Sequence, residues 1–167
     1  KLGVIVADVS GKSLPGMLVM MLTRDIIRRL ARDIVHPAEL LTKVNAELRE
    51  NIKKGMFVTM FYGVLDTESG LLNFASAGHN PLIKINAGSD SCESLKTKGY
   101  PLGMVPGKQF ASRIERAEVK LEPGDWMVQF TDGINEARNS AGDEFGLERF
   151  EKILGSGRTD GPDALVN

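Results

Sequence analysis

Two carboxylates are placed where chemistry could use them. Asp8 closes the apolar run Gly3-Val4-Ile5-Val6-Ala7 and is followed by Val9-Ser10-Gly11. Asp132 closes Trp126-Met127-Val128-Gln129-Phe130-Thr131 and is followed directly by Gly133. A core strand delivers its last residue to the surface, where a side chain can meet a metal ion or a reacting group. Hard divalent cations such as Mg²⁺ and Mn²⁺ take oxygen ligands, and they keep several waters when few carboxylates bind. Asp8, Asp132 and the Val9 carbonyl are ligands of that kind. A water held between two such ions becomes acidic enough to attack a phosphate ester. The same residues also suit turns, since an Asp at a strand end commonly bonds nearby backbone amides. Residue type and spacing leave both readings open.

Other chemistries fit less well. Ser10 has no evident His partner, because His79 belongs to a hairpin turn and His36 to a loop beside Pro37. Cys92 is the only cysteine, so no internal disulfide forms and a reducing compartment is expected. Its polar surroundings mark it as an unreactive thiol. The sequence has no zinc-ligand pair, no Gly-x-Gly-x-x-Gly and no Walker loop. A net charge of −1 argues against a polyanion-binding surface, and no apolar run approaches the ~20 residues of a membrane span.

The elements that must position the two carboxylates can be read in order. After the first strand, Ser13 is the expected N-cap and Pro15 an early helix residue. A helix is expected from Gly16 to about Ile34, with Leu18, Leu22, Ile26 and Leu30 recurring at four-residue spacing, widened by Val19, Met21 and Ile27, and Arg24, Arg28, Arg29 and Arg32 forming a solvated face. Pro37 forces a break. A second helix to about Ile52 carries Leu41, Val44, Leu48 and Ile52 on one side. The period then changes to two. Met56–Leu65, Leu71–Ala77, Leu82–Ile85 and Cys92–Leu95 read as strands, and so does Phe110–Leu121. Glu122-Pro123-Gly124-Asp125 makes a turn before the strand expected to run to Asp132. A short helix from Leu147 to Leu154 should face Leu147, Phe150, Ile153 and Leu154 inward. Short meander connections imply antiparallel sheets with helices laid on them, an α+β fold. The chain reads as one domain, 1–167, cut from a longer polypeptide.

Eight segments carry a resemblance. Val6-Ala7-Asp8-Val9-Ser10-Gly11-Lys12, the Pro15 helix start, Met56-Phe57-Val58-Thr59-Met60-Phe61-Tyr62-Gly63 and Ala77-Gly78-His79-Asn80-Pro81 come first. Pro101-Leu102-Gly103, Leu121-Glu122-Pro123-Gly124-Asp125, Thr131-Asp132-Gly133-Ile134-Asn135-Glu136-Ala137 and Glu144-Phe145-Gly146 follow. In this order they resemble bacterial PPM-type (PP2C-like) serine/threonine phosphatases, specifically the sporulation stage II E and RsbU-like branch. Each is a weak motif alone, but the ordered set spans Val4 to about Phe150.

The resemblance implies an αββα sandwich of two antiparallel sheets flanked by helices. It implies hydrolysis of phosphoserine or phosphothreonine by water activated by Mn²⁺ or Mg²⁺, with two ions in the complete domain. Asp8 would be the shared carboxylate, Val9 a carbonyl ligand and Asp132 a ligand of one ion. Gly11 would keep the loop open for phosphate, and Gly133 would allow the turn after Asp132. The Gly78–Pro81 turn would be mainly structural, and the helices between Gly16 and Ile52 would act as a switch. The implied setting is a cytoplasmic signalling protein with an N-terminal sensor or receiver module. Its substrate would be a phosphoprotein such as an anti-sigma-factor antagonist. No nucleic acid or membrane insertion is implied, and a homodimer is compatible. Relatives of this kind carry a Gly-Gly-Asp-like segment upstream and an Asp-Asp pair near the C-terminus. Neither occurs in the 167 residues, so an incomplete metal site is expected of this fragment. The rival expectation is a non-catalytic module of the same fold that binds a phosphoprotein or partner domain.

Overall fold

The computed structural model describes residues 1–11, 14–88 and 92–156. The expected Ser13 cap lies outside the described residues. Twelve elements follow one another: β1 (Leu2–Val9), α1 (Leu14–Leu30), α2 (Pro37–Asn51), β2 (Val58–Asp66), β3 (Leu71–Ala77), β4 (Leu82–Ile85), β5 (Cys92–Leu95), α3 (Gly107–Ala111), β6 (Arg116–Lys120), β7 (Trp126–Val128), α4 (Asp132–Asn135) and α5 (Leu147–Ser156). They form two compact units. One comprises Lys1–His79 with Lys96–Lys120, and the other Asn80–Leu95 with the chain from Leu121 on.

The first unit holds a four-stranded sheet in the order β1-β2-β3-β6, antiparallel throughout. Val58, Met60, Tyr62 and Val64 alternate along β2 and pack with Ala7 and Val9 of β1 against Val19, Ile26 and Ile27 of α1 and Leu40, Leu41, Val44 and Leu48 of α2. Strand alternation puts the residues between them, Asp8 and Thr59 included, on the opposite face of the sheet. Buried Asn45 of α2 is satisfied by the loop after β5: its Oδ1 accepts from the Gly103 amide at 2.9 Å, and its Nδ2 donates to the Val105 carbonyl.

Three sequence expectations for this unit change. α1 ends at Leu30, and residues 31–33 form a turn before Pro37. Its inward stripe is Val19-Thr23-Ile26-Ile27, with buried Thr23 donating to the Val19 carbonyl, whereas Leu18 and Met21 are exposed. The segment Phe110–Leu121 is not one strand. Its first part is α3, where fully buried Phe110 anchors a single turn after Pro106, and only Arg116–Lys120 joins the sheet.

The second unit holds the antiparallel sheet β5-β4-β7. Ile83 and Ile85 of β4, Phe130 and Leu154 form its core, and the Phe130 and Phe150 rings meet edge to face at 4.9 Å. On α5, Phe150 and Leu154 face inward as expected, but Leu147 and Ile153 are exposed. No helix among the described residues is long and apolar enough to cross a membrane.

Candidate metal centre

Asp8 is the penultimate residue of β1, paired with Thr59, and its side chain is half-buried. Ser10 fastens the strand end: its amide donates to the Phe57 carbonyl, and its hydroxyl accepts from the Phe57 amide, both at 2.9 Å. The next pair inward is Val9 with Val58. Both backbone groups of Val58 are committed to Leu102, at 3.0 and 2.8 Å. In an antiparallel ladder the hydrogen-bonded pairs alternate, so the Ser10–Phe57 bond directs the Val9 carbonyl away from β2. β1 is at the edge of its sheet. The strand therefore ends with a carboxylate on one face and a carbonyl aimed sideways out of the sheet.

The turn that follows is fitted closely to α1. Gly11 has φ +96°, a conformation that other residues rarely adopt. Gly16 is buried, and a Cβ there would stand 2.5 Å from the Gly11 carbonyl oxygen. Gly16 therefore allows the helix to lie against the turn beside Val9. The sequence signals the glycine without revealing this contact, because the two residues meet only once α1 folds back.

Asp132 is placed differently from the expectation of a strand end. β7 stops at Val128, and Asp132 is the exposed first residue of α4. The reason lies opposite β7. Pro81 precedes β4 and has no amide to continue the ladder. Asn80 replaces it: its side-chain amide donates to the Phe130 carbonyl, and its own carbonyl accepts from Gln129 Nε2 at 2.8 Å. Beyond α4 the chain folds into a small hairpin joined by the Arg138–Glu144 bridge, with Asn139 Oδ1 accepting from the amides of Ala141 and Asp143. Gly133 has no positive φ, and a Cβ on it would make an ordinary 3.7 Å contact with Thr131. The backbone after Asp132 does not need that glycine, contrary to the expectation.

The sequence pattern marks His79 only as a structural turn residue and gives Thr59 no role of its own. Thr59 Oγ1 lies 2.9 Å from His79 Nδ1 and 3.4 Å from the Asp8 carbonyl oxygen. Only the β1–β2–β3 register joins these positions. Burial, aided by the Glu151 carboxylate, pushes the Cys92 thiol above the usual range, the direction that disfavours the reactive thiolate.

In kind, the donors suit a hard cation. The first unit offers the Asp8 carboxylate and Val9 carbonyl. The second offers the Asp132 carboxylate, with a buried amide oxygen, Asn135 Oδ1, that has no hydrogen-bond partner among the described residues. Among those residues no group of three or more His, Cys, Asp or Glu side chains forms a metal cage. Mg²⁺ is commonly held by one or two carboxylates plus waters, so the donor chemistry fits.

Two antiparallel sheets with helices, and a carboxylate at the end of an edge strand, place the chain among the PP2C-like phosphatases in fold. The family model for stage II sporulation protein E (SpoIIE) matches residues 1–167, and the chain belongs to that family. It is 30% identical over 141 residues to the phosphoserine phosphatase RsbU of Bacillus subtilis, a match covering 84% of this chain and 41% of RsbU. The SiaA-PP2C domain of Pseudomonas aeruginosa superposes with a TM-score of 0.79 at 24% identity, over 98% of this chain and 64% of that one. RsbX in complex with magnesium superposes with a TM-score of 0.67 at 16% identity, over 98% of this chain and 69% of that one. The chain thus spans about two fifths of RsbU.

Proposed function

We propose that residues 1–167 are the phosphatase domain, or the larger part of it, of a metal-dependent protein serine/threonine phosphatase. The observation that carries this is the end of β1, where Ser10 and Gly16 hold the turn that presents the Asp8 carboxylate and the Val9 carbonyl. Membership of the SpoIIE family and identity to RsbU support it. In this reading Asp8, Val9 and Asp132 ligate Mn²⁺ or Mg²⁺, with two ions in the complete domain. When bound, the ions supply Lewis acidity, lowering the pKa of a coordinated water and neutralising charge on the phosphoryl group. The residues of the chain do the rest. Asp8 contributes negative charge from a half-buried position, Ser10 fixes its strand end, and Gly11 keeps the turn free of a side chain. The substrate is a phosphoserine or phosphothreonine protein, an anti-sigma-factor antagonist in the RsbU-like case. The setting is a cytoplasmic signalling protein with an N-terminal sensor or receiver module.

A second reading is a non-catalytic module that binds a phosphoprotein. It is favoured by the small donor set: two carboxylates, with no three-residue cage among the described residues. Hydrolysis of p-nitrophenyl phosphate and of a phosphoserine peptide by the full-length protein, with and without Mn²⁺, separates the two. Asp8→Asn and Asp132→Asn should each reduce Mn²⁺-dependent turnover at least ~100-fold with the melting curve retained, given the cost of losing a charged ligand. Full turnover in either variant removes that residue from the site. A folded wild-type protein without turnover supports the binding module.

A further inference from the structure

We propose that Thr59 and His79 are positioning residues for the metal ligand Asp8, acting through its backbone; this rests on the phosphatase reading above. Asp8 and Thr59 are cross-strand partners, so their side chains stand side by side on the face of the sheet away from α1 and α2. Further along the same face of β2 and β3, Phe61 and Phe74 are buried with ring centroids 5.5 Å apart, and Ser76 is buried opposite Phe61. His79 is only 7% exposed there. A buried imidazole is costly beside an apolar side chain of equal size unless its hydrogen bonds repay the desolvation.

The turn that carries His79 is fixed at several points. The His79 amide donates to Ser76 Oγ at 3.0 Å, the Ser76 hydroxyl lies 3.2 Å from the His79 carbonyl, and the Ser76 amide donates to Thr97 Oγ1. Gly78 has φ +68°, and a Cβ on it would meet the Pro101 ring at 2.7 Å. The imidazole is therefore held against Thr59 by a rigid turn.

Thr59 has one hydroxyl proton and two acceptors within reach. If it donates to His79 Nδ1, the Asp8 carbonyl receives nothing from it. If His79 carries its proton on Nδ1, the imidazole donates to Thr59 Oγ1 and the hydroxyl proton is released to the Asp8 carbonyl. The ordered chain His79→Thr59→Asp8 then restrains the peptide that joins Asp8 to Val9, the two residues whose side-chain carboxylate and carbonyl are the proposed ligands of this unit. Restraint of this kind lowers the ordering cost of metal binding, and its loss typically weakens affinity by about 10–100-fold.

The test is Mn²⁺ titration calorimetry on the metal-free full-length protein, with melting curves and p-nitrophenyl phosphate kinetics alongside. Thr59→Val keeps the shape and removes the hydroxyl; it should weaken Mn²⁺ binding about tenfold or more. Its metal-free melting temperature should fall by only a few degrees, the cost of leaving buried His79 Nδ1 without its partner, and its KM at saturating Mn²⁺ should stay at the wild-type value. Thr59→Ser should restore the affinity, and His79→Gln should match Thr59→Val. Should His79→Gln fail to fold, the Thr59 pair decides by itself. Wild-type affinity in Thr59→Val, or no rescue by serine, overturns the inference while leaving the phosphatase reading in place. A wild-type protein that neither binds Mn²⁺ nor hydrolyses the ester overturns both.

Discussion

Asp125 is the residue on which the second unit should be most sensitive. Its carboxylate is 4% exposed and joins three segments: Oδ2 accepts from the Glu122 amide at 3.0 Å, Oδ1 accepts from the Ala87 amide at 2.8 Å, and Lys84 Nζ stands 3.1 Å away. The Glu122 amide, then the Ala87 amide, and last Lys84 outweigh burial and hold its carboxyl at about 2 against the usual 3.8. A displacement of that size corresponds to at most about 2.5 kcal/mol of folded-state preference at neutral pH, at ~1.4 kcal/mol per unit. Because the folded-state value is depressed, this contribution is complete above about pH 5 and is lost as pH falls through about 2. Asp125→Ala also leaves two amides unpartnered, so the expected loss is ~2–3 kcal/mol, or about 1 M in urea midpoint for a slope near 2 kcal/mol/M. Lys84→Met should cost less than Asp125→Ala, since the amides contribute ahead of the ammonium. Trp126, the chain's only tryptophan, adjoins Asp125 in β7 and reports the unfolding by fluorescence. The difference between wild type and Asp125→Ala should shrink steadily from pH 5 to pH 2. A cost below ~0.5 kcal/mol, within the range of ordinary surface changes, or a pH-independent difference, would refute the argument.

Gly16→Ala should cost ~1–2 kcal/mol in chemical denaturation despite alanine's better helix propensity, because its Cβ meets the Gly11 carbonyl. It should also weaken Mn²⁺ binding in calorimetry, as the turn beside Val9 is displaced. Gly133→Ala should leave the melting temperature unchanged or slightly raised, since its backbone is helical and open to a Cβ. Phe110→Ala should cost ~3–5 kcal/mol by urea denaturation, the usual figure for a fully buried ring, even though a strand reading of that segment would give it no special place.

Much of this molecule follows from local pattern. The strand at Gly3–Ala7, the hairpin of β2 and β3, the break at Pro37 and the turn at Glu122–Asp125 are written in runs of β-branched residues, prolines and glycines, which act over a few positions. The ordered motifs also sufficed to indicate the family, because each is short and contiguous. Local pattern failed where two segments compete for the same backbone. Gln129–Thr131 has strand composition, but Pro81 gives it no ladder and Asn80 takes its hydrogen bonds, so Asp132 opens a helix instead. Phe110 sits in a strand-like run but is drawn into the core as part of a helical turn. On α1, periodicity could not tell Leu18 and Met21, which are exposed, from Val19 and Ile26, which are buried. The surroundings of Asp8 were least legible. Gly16 touches Gly11, and Thr59 links Asp8 to His79, only because strands far apart in sequence pair in one register. The sequence by itself determined which carboxylates stand at chain turns and to which family they belong. Tertiary structure decided what surrounds them, because hydrogen bonds and van der Waals contacts reach only a few ångströms and close only after the sheet has formed.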